Sequence, residues 1–83
     1  MDYFAYVLRS RKNSRLYCGH TDNLIRRIKA HNAGKTRSIK AYLPYELVYY
    51  EIFESRDKAI DREKYFKTAA GRRFIKKKLI LLG

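Results

Sequence analysis

Eighty-three residues with a large excess of basic side chains set the first limits on this protein. A domain of this size buries only about 60% of the surface that its unfolded chain exposes, which leaves room for one core and excludes a separate specificity module. We therefore expect a single domain over residues 1–83. Lys and Arg number 20 against 8 Asp and Glu, so the formal charge is +12. This charge favours a polyanionic partner through counterion release, with an anionic membrane surface or solubility alone as alternatives.

No targeting or membrane signal is visible in the chain. It has no run of about 18 apolar residues, and its N-terminus lacks a basic segment followed by an apolar segment and a cleavage site. The single cysteine, Cys18, cannot form an intramolecular disulfide, which agrees with a reducing compartment. These features predict a cytoplasmic protein with no membrane partner, in which Cys18 is a small buried hydrophobe.

The first elements are predicted to form a β-hairpin. Residues 3–8 are apolar and aromatic, and residues 16–19 follow after a polar segment. If the loop contains four residues, Leu8 lies opposite Tyr17, and Tyr6 lies two residues further along the same face. The two tyrosines then point the same way, whereas an odd loop would separate them.

A helix is predicted after this hairpin, with Thr21 or Asp22 as its N-cap, an end near Asn32 and Gly34 as its C-terminal stop. At about 100° per residue, the buried stripe would contain Leu24, Ile25 and Ile28.

Two further residues of this helix lie beside the stripe. His31 falls next to Leu24, and Arg27 lies about 60° outside the stripe, while Arg26 points into water. Geometry therefore nominates Arg27 to face the sheet edge, although an arginine there could simply extend its stem along the boundary.

The second half of the chain begins with a basic connector over residues 35–40, which has room for a helical turn, and with Pro44, which blocks its continuation. Residues 45–53 are rich in Val, Tyr, Ile and Phe at both parities. This pattern predicts a central strand covered on both faces.

Ser55 is a suitable N-cap for a helix over about residues 56–67. The apolar arc of that helix contains Ala59, Ile60 and Phe66. Glu63 falls inside the arc, where an unpaired carboxylate would cost several kcal/mol. It should therefore lie beside a cation, a metal or a solvent-filled cleft, and an internal salt bridge with Arg or Lys is the simplest alternative.

Residues 68–71 are predicted as a break, followed by a helix over residues 72–82. Its apolar stripe contains Phe74, Ile75, Leu79 and Leu82. Its basic face could be merely solvated, could contact nucleic acid or could lie on a membrane surface.

One pocket could collect five chemically active side chains, those of Tyr6, Tyr17, Arg27, His31 and Glu63. The chain has no Gly-rich phosphate loop, zinc signature or nucleophilic triad. One glutamate can hold one Mg²⁺ or Mn²⁺ that keeps most of its waters. A guanidinium, a metal ion and a tyrosine whose pKa is lowered by nearby positive charge suit phosphodiester hydrolysis.

Several motifs together carry a family resemblance. Residues 4–7 keep the tyrosine of Gly-Ile-Tyr, and residues 17–19 keep the tyrosine and glycine of Tyr-Ile-Gly. Residues 22–32 look like an Arg-x-x-x-His helix, residues 44–51 like a third strand, and residues 61–64 like a glutamate motif. In this order and spacing, the chain resembles the GIY-YIG nuclease superfamily, in particular its short stand-alone members.

The resemblance implies an α+β fold in which a three-stranded antiparallel sheet is flanked by helices, in the order β-β-α-(short α)-β-α-α. It implies hydrolysis of DNA phosphodiester bonds with one divalent ion, Mg²⁺ or Mn²⁺, and no small-molecule cofactor. It carries catalytic roles onto Arg27 and His31 and metal binding onto Glu63. Either Tyr6 or Tyr17 would be the base.

The chain departs from the family pattern in two places. Phe4-Ala5 replaces Gly-Ile, and every asparagine lies before residue 33, whereas many family nucleases carry one after the glutamate. Thr68 is a candidate replacement for that asparagine. His20 stands where some members have a lysine, and could tune the phenol.

These observations favour an endonuclease that acts on DNA, with branched or damaged forms as candidate targets and DNA repair or processing as its setting. RNA is an alternative substrate, and a protein partner could direct the chain to its target. The competing hypotheses are a non-catalytic nucleic-acid-binding module with a degenerate site, and a basic surface for an acidic protein. The predicted nucleic-acid contacts are Lys35, Arg37, Lys40, Arg72, Arg73 and Lys76.

Overall fold

The computed structural model describes residues 1–34 and 43–82. Its elements follow one another as β1 (Tyr3–Ser10), β2 (Leu16–Thr21), α1 (Leu24–Asn32), β3 (Tyr45–Phe53), α2 (Arg56–Phe66) and α3 (Ala69–Leu82). The predicted α+β class, with one three-stranded antiparallel sheet and flanking helices, is confirmed. The predicted helical turn in the basic connector lies outside the described residues, as do Lys35, Arg37 and Lys40.

The hairpin has the predicted register. Leu8 pairs with Tyr17 and Tyr6 with Gly19, and the four residues 11–14 form the loop between the hydrogen-bonded residues Ser10 and Arg15. Ser14 adopts a left-handed φ of 63° in that loop, and the amide of Ser10 donates to the carbonyl of Arg15 at 2.9 Å. Tyr6 and Tyr17 consequently share one face of the sheet.

The sheet order is β2-β1-β3, so the prediction that residues 45–53 form the central strand is wrong. β1 is central, and Tyr50 and Ile52 on β3 are 47% and 55% exposed. The register against β1 shifts between Val7 and Leu8. Because of this irregularity, β3 residues of the same parity point to opposite faces of the sheet before and after the shift and pack into both cores. The edge strand therefore has the apolar pattern that is typical of a central strand.

Two apolar clusters pack on opposite faces of β1, because its side chains alternate. The α2/α3 core contains the buried residues Ala5, Val7, Phe66 and Ile75, with half-buried Cys18 packed against it. The α1 core contains Tyr6, Leu8 and Tyr45, with Tyr17, Leu24 and Ile28 packed against it.

The N-cap of α1 is Asn23, not Thr21 or Asp22 as predicted. Its side chain accepts from the amide of Arg26 at 3.0 Å, while Thr21 Oγ1 accepts from the amide of Asn23 at 3.1 Å. The shift by one or two residues follows from competition among three adjacent side chains, each able to cap. Gly34, with φ of 79°, ends the segment as predicted.

The buried face of α1 also differs from the prediction. Ile25 is 71% exposed, whereas His31 is completely buried. Leu24 and Ile28 do pack on the α1 core. The helix is therefore rotated towards His31, whose ring has a polar partner inside the protein, the hydroxyl of Tyr6.

α2 begins after Ser55, whose side chain accepts from the amide of Lys58 as predicted. α3 begins at Ala69, three residues before the predicted start at residue 72. Thr68 is responsible, since its Oγ1 accepts from the amide of Gly71 at 3.0 Å. Gly71 fits there because a Cβ would lie 1.8 Å from the carbonyl oxygen of Tyr65.

The outer face of α3 carries Arg72, Arg73 and Lys76, all exposed, while Phe74, Ile75 and Leu79 pack inwards. The side chain of Leu82 lies outside the described part of the chain. Over residues 1–34 and 43–82, none of the helices combines the length and the apolar character that crossing a bilayer requires.

Candidate active site

The hydroxyl of Tyr6 lies at the centre of a polar group inside the α1 core. Tyr6 comes from the central strand and is 1% exposed. Its oxygen lies 2.9 Å from Nε2 of His31 and 3.4 Å from Nε of Arg27. Because arginine only donates, the oxygen of Tyr6 accepts from Arg27, and the tautomer of His31 sets which of the two groups donates in the Tyr6–His31 bond.

The glycine of the second motif makes room for this tyrosine. Gly19 pairs with Tyr6 across the hairpin, and a Cβ on Gly19 would lie 2.4 Å from the Tyr6 hydroxyl oxygen. Any larger side chain would push the ring away from His31. The absence of a side chain therefore positions the phenol, which explains on physical grounds why the motif keeps glycine when it loses its isoleucine.

Tyr17 lies beside the same histidine. Its ring meets that of His31 edge to face, with centroids 5.2 Å apart, and it also contacts the ring of Tyr45 at 6.5 Å. The pKa of Arg27 is raised by its hydrogen bond to Tyr6 and, to a smaller extent, by Tyr17. The guanidinium thus interacts with both phenols.

A second polar group is built around Glu63, whose side chain is 17% exposed. Nδ1 of His20 lies 2.6 Å from Oε1, and Nζ of Lys67 donates to Oε2 at 2.7 Å. Burial alone would raise the pKa of Glu63, but the hydrogen bonds from Lys67 and His20 outweigh it and hold this pKa below its usual value. Glu63 is ionised at neutral pH.

The two groups are neighbours. His20 and Arg27 line one cavity, and Tyr17 and Lys67 line another, so each cavity has members of both groups in its wall. The structure therefore brings together all five predicted catalytic side chains, in two hydrogen-bonded halves. The sequence suggested that His20 acts on a phenol, whereas its side chain is hydrogen-bonded to the carboxylate of Glu63.

Lys67 belongs to this site but was not among the residues predicted from the sequence. It follows Glu63 by four residues, a spacing that places two helical side chains together, and this was the available signal. Its contact also agrees with the simple alternative for Glu63, an internal salt bridge. Thr68, the candidate replacement for the missing asparagine, donates its hydroxyl to the carbonyl of Tyr65 at 2.6 Å and caps α3.

The donor set of this site is compatible with one hydrated divalent ion. Among the described residues no group of three or more His, Cys, Asp and Glu side chains comes together. One carboxylate suffices for an ion that keeps most of its waters. Lys67 occupies Oε2, but its side chain is 56% exposed and can turn away into solvent.

Burial sets the protonation of the Tyr6–His31 pair. It raises the pKa of Tyr6, against the opposing effect of Arg27. It lowers the pKa of His31, and the charge of Arg27 lowers it further. At neutral pH the imidazole is therefore uncharged and can accept a proton at Nε2, while Nδ1 is buried without a hydrogen-bond partner among the described residues.

The sequence comparison decides the family, since residues 2–78 match the GIY-YIG catalytic domain. The chain belongs to the GIY-YIG family. The resemblance drawn from the two tyrosine motifs is thereby confirmed. The family is one of nucleases, and its model covers every candidate catalytic residue in this chain.

Relatives of this GIY-YIG chain occur in several bacteria. It is 42% identical over 66 residues to a UPF0213 protein of Bacillus licheniformis, covering 78% of this chain and 67% of that protein. It is 42% identical over 67 residues to a UPF0213 protein of Staphylococcus haemolyticus, covering 80% of each. The solution NMR structure of a UPF0213 protein from Bacillus halodurans is similar, with a TM-score of 0.55 and 30% identity over 99% of this chain and 85% of that one.

The lowered pKa of His31 predicts a stability change with pH. A histidine whose folded pKa is depressed stabilises the fold above its unfolded pKa of about 6.5, and this contribution is lost as pH falls through the folded value. Urea unfolding should show a larger loss of stability between about pH 7.5 and about pH 5 for the wild type than for His31→Phe. His20→Gln is the control and should retain the His31-dependent loss; equal slopes in wild type and His31→Phe would contradict this.

Proposed function

We propose that this GIY-YIG protein is a metal-dependent endonuclease that hydrolyses DNA phosphodiester bonds. The observation that carries the proposal is the hydroxyl of Tyr6, which accepts from Arg27 and is hydrogen-bonded to His31. The ionised carboxylate of Glu63 is joined to the same cavity wall as Arg27 through its bond to His20. This combination offers a base, a fixed positive charge and a metal-binding carboxylate around one point.

The geometry favours Tyr6 over Tyr17 as the group that takes a proton from the attacking water. When Nε2 of His31 is the unprotonated nitrogen, the phenol would donate to it and would pass that proton on as it accepts another. Tyr17 contacts His31 through its ring edge and would orient the imidazole.

Arg27 would stabilise the charge that develops on the phosphate oxygens. Its guanidinium is exposed on one side and bonded to Tyr6 on the other. A divalent ion held by Glu63 would supply Lewis-acid stabilisation of the same charge. Lys67 would leave Oε2 when the ion binds, and could then pair with the phosphate or stay in solvent.

The test is cleavage of labelled duplex, flap, forked and single-stranded DNA with Mg²⁺ or Mn²⁺, comparing wild type, Glu63→Gln and Glu54→Gln. Glu63→Gln keeps the shape and removes the charge, so cleavage should fall by about 10²-fold or more. Glu54 is exposed and precedes α2, so Glu54→Gln should cleave as the wild type does. Undiminished cleavage by Glu63→Gln would assign the activity to a contaminant.

A non-catalytic nucleic-acid-binding module is the second candidate. It is favoured by the pairing of both oxygens of Glu63 with His20 and Lys67, which satisfies the carboxylate without a metal. This hypothesis predicts DNA or RNA binding that weakens with salt but does not respond to metal or to Glu63→Gln. Binding of that kind with no cleavage of any substrate would favour it.

A further inference from the structure

We propose that the cavity between the starts of α1 and α2 binds a backbone phosphate of the nucleic acid, next to the phosphate at Tyr6. The inference rests on the proposed function for the identity of the ligand. The cavity measures about 530 Å³ and is lined by His20, Thr21, Asp22, Arg26, Arg27, Ala30 and Arg56.

The charge of this cavity is positive. Three arginines face one aspartate across it, and the remaining lining is uncharged when His20 is neutral. Guanidinium groups bind phosphate oxygens in a bidentate geometry. The cavity therefore suits an anion with several oxygens better than it suits an apolar ligand.

Arg26 and Arg27 come from α1, and Arg56 comes from α2. Arg56, the first residue of α2, stacks its guanidinium over the ring of Tyr3 at 4.9 Å from the centroid. Asp22 lies 3.7 Å from a nitrogen of Arg26 and 3.9 Å from one of Arg56. These are long contacts of side chains that are 76% and 51% exposed, so both guanidiniums keep donors available at the mouth of the cavity.

Arg27 links the cavity to the catalytic group. It lines the cavity and also donates to the hydroxyl of Tyr6. A strand whose scissile phosphate lies at Tyr6 therefore has its neighbouring phosphate within the cavity. A second cavity is lined in part by Tyr17, Lys67, Arg72 and Lys76. The strand would run from Arg56 past Arg27 towards α3.

Asp22 offers a specific test of the proposal, because its negative charge repels a phosphate although it contacts two of the arginines that would bind that phosphate. Its carboxylate competes with a phosphate for Arg26 and Arg56. Removing that charge should strengthen phosphate binding. A purely structural pairing of Asp22 with the arginines predicts the opposite sign.

The first experiment measures DNA affinity in the absence of divalent metal, using fluorescence anisotropy of a short labelled duplex at several salt concentrations. Arg56→Ala and Arg26→Ala should each raise Kd by about 3- to 10-fold and lower the slope of log Kd against log salt by about one. Asp22→Asn should lower Kd several-fold. Arg11→Ala removes the same charge from the hairpin loop at the opposite end of β1 and should change Kd less than about twofold.

The second experiment locates the phosphate. Single linkages of one strand are replaced by uncharged methylphosphonate, and the loss of affinity is measured for wild type and Arg56→Ala. One linkage beside the cleaved position should weaken wild-type binding and have no effect in the variant, while other linkages act equally in both.

The outcomes separate this inference from the proposed function. If the methylphosphonate at one linkage weakens binding by the wild type but not by Arg56→Ala, the phosphate site is supported even when the wild type cleaves no substrate. The phosphate-site proposal is contradicted if DNA is cleaved but no linkage shows an effect that depends on Arg56. It is also contradicted if Arg56→Ala and Arg11→Ala change Kd equally. Either result leaves the nuclease proposal standing.

Discussion

We expect Arg27→Ala to lower the single-turnover rate constant for DNA cleavage by about 10²- to 10³-fold. The loss has two sources, since Arg27 both offsets charge on the phosphate and donates to the Tyr6 hydroxyl at 3.4 Å. The residue is exposed, so its removal opens no cavity in the core. The rate should fall without a comparable fall in the free energy of unfolding.

Two controls distinguish this role from general charge. Arg27→Lys keeps the charge but cannot reproduce the planar guanidinium, so it should recover only part of the rate. Arg11→Ala, in the hairpin loop, should leave the rate constant unchanged. A cleavage rate in Arg27→Ala within a few-fold of wild type would remove Arg27 from the catalytic group.

Phe66→Ala should reduce the free energy of unfolding by about 3–5 kcal/mol. Phe66 is fully buried at the end of α2 and packs its ring against those of Tyr49 and Phe74, with Arg62 over its face at 5.2 Å. A domain of this length has about 4–12 kcal/mol of stability in total. The substitution should therefore leave much of the chain unfolded at 37 °C, as urea or thermal denaturation would show.

Ile25→Ala is the matched comparison, because it removes a similar apolar side chain from a helix. Ile25 is 71% exposed, so the change should stay within about 0.5 kcal/mol. A decrease of about 2 kcal/mol or more in the free energy of unfolding would indicate that Ile25 is buried, as helical periodicity predicts. Phe66→Ala with near wild-type stability would contradict the assigned α2/α3 core.

The parts of the fold that could be predicted from sequence are those governed by local rules. The four-residue loop and the period of two in a strand determine the pairing of Tyr6 with Gly19, and this pairing places both tyrosines on one face. Ser55 caps the start of α2 and Gly34 ends the segment after α1, and both residues do so as predicted because each acts within one helical turn.

The errors arise where distant contacts decide the outcome. Hydrophobicity ranks Ile25 above His31 for burial, yet only His31 finds a partner, the hydroxyl of Tyr6, on the sheet. The apolar pattern of β3 reflects an irregular register against β1, which a single strand does not reveal.

The candidate site was predictable in its members but not in its internal pairing. Arg27 and Glu63 stand out because they are charged beside apolar stripes. The helix wheel cannot show that His20 approaches Glu63 rather than a phenol, since the two lie 43 residues apart. Sequence therefore predicts the composition of the site, and tertiary structure determines which proton and charge each residue controls.

Single-turnover cleavage by wild type, Arg27→Ala, Glu63→Gln and the double variant tests most directly whether one catalytic centre exists. Residues that act as a unit have strongly non-additive effects on rate. The proposed centre predicts that the double variant is no more than about tenfold slower than the slower single variant. Two losses that multiply in full, or cleavage that all four proteins share, would contradict it.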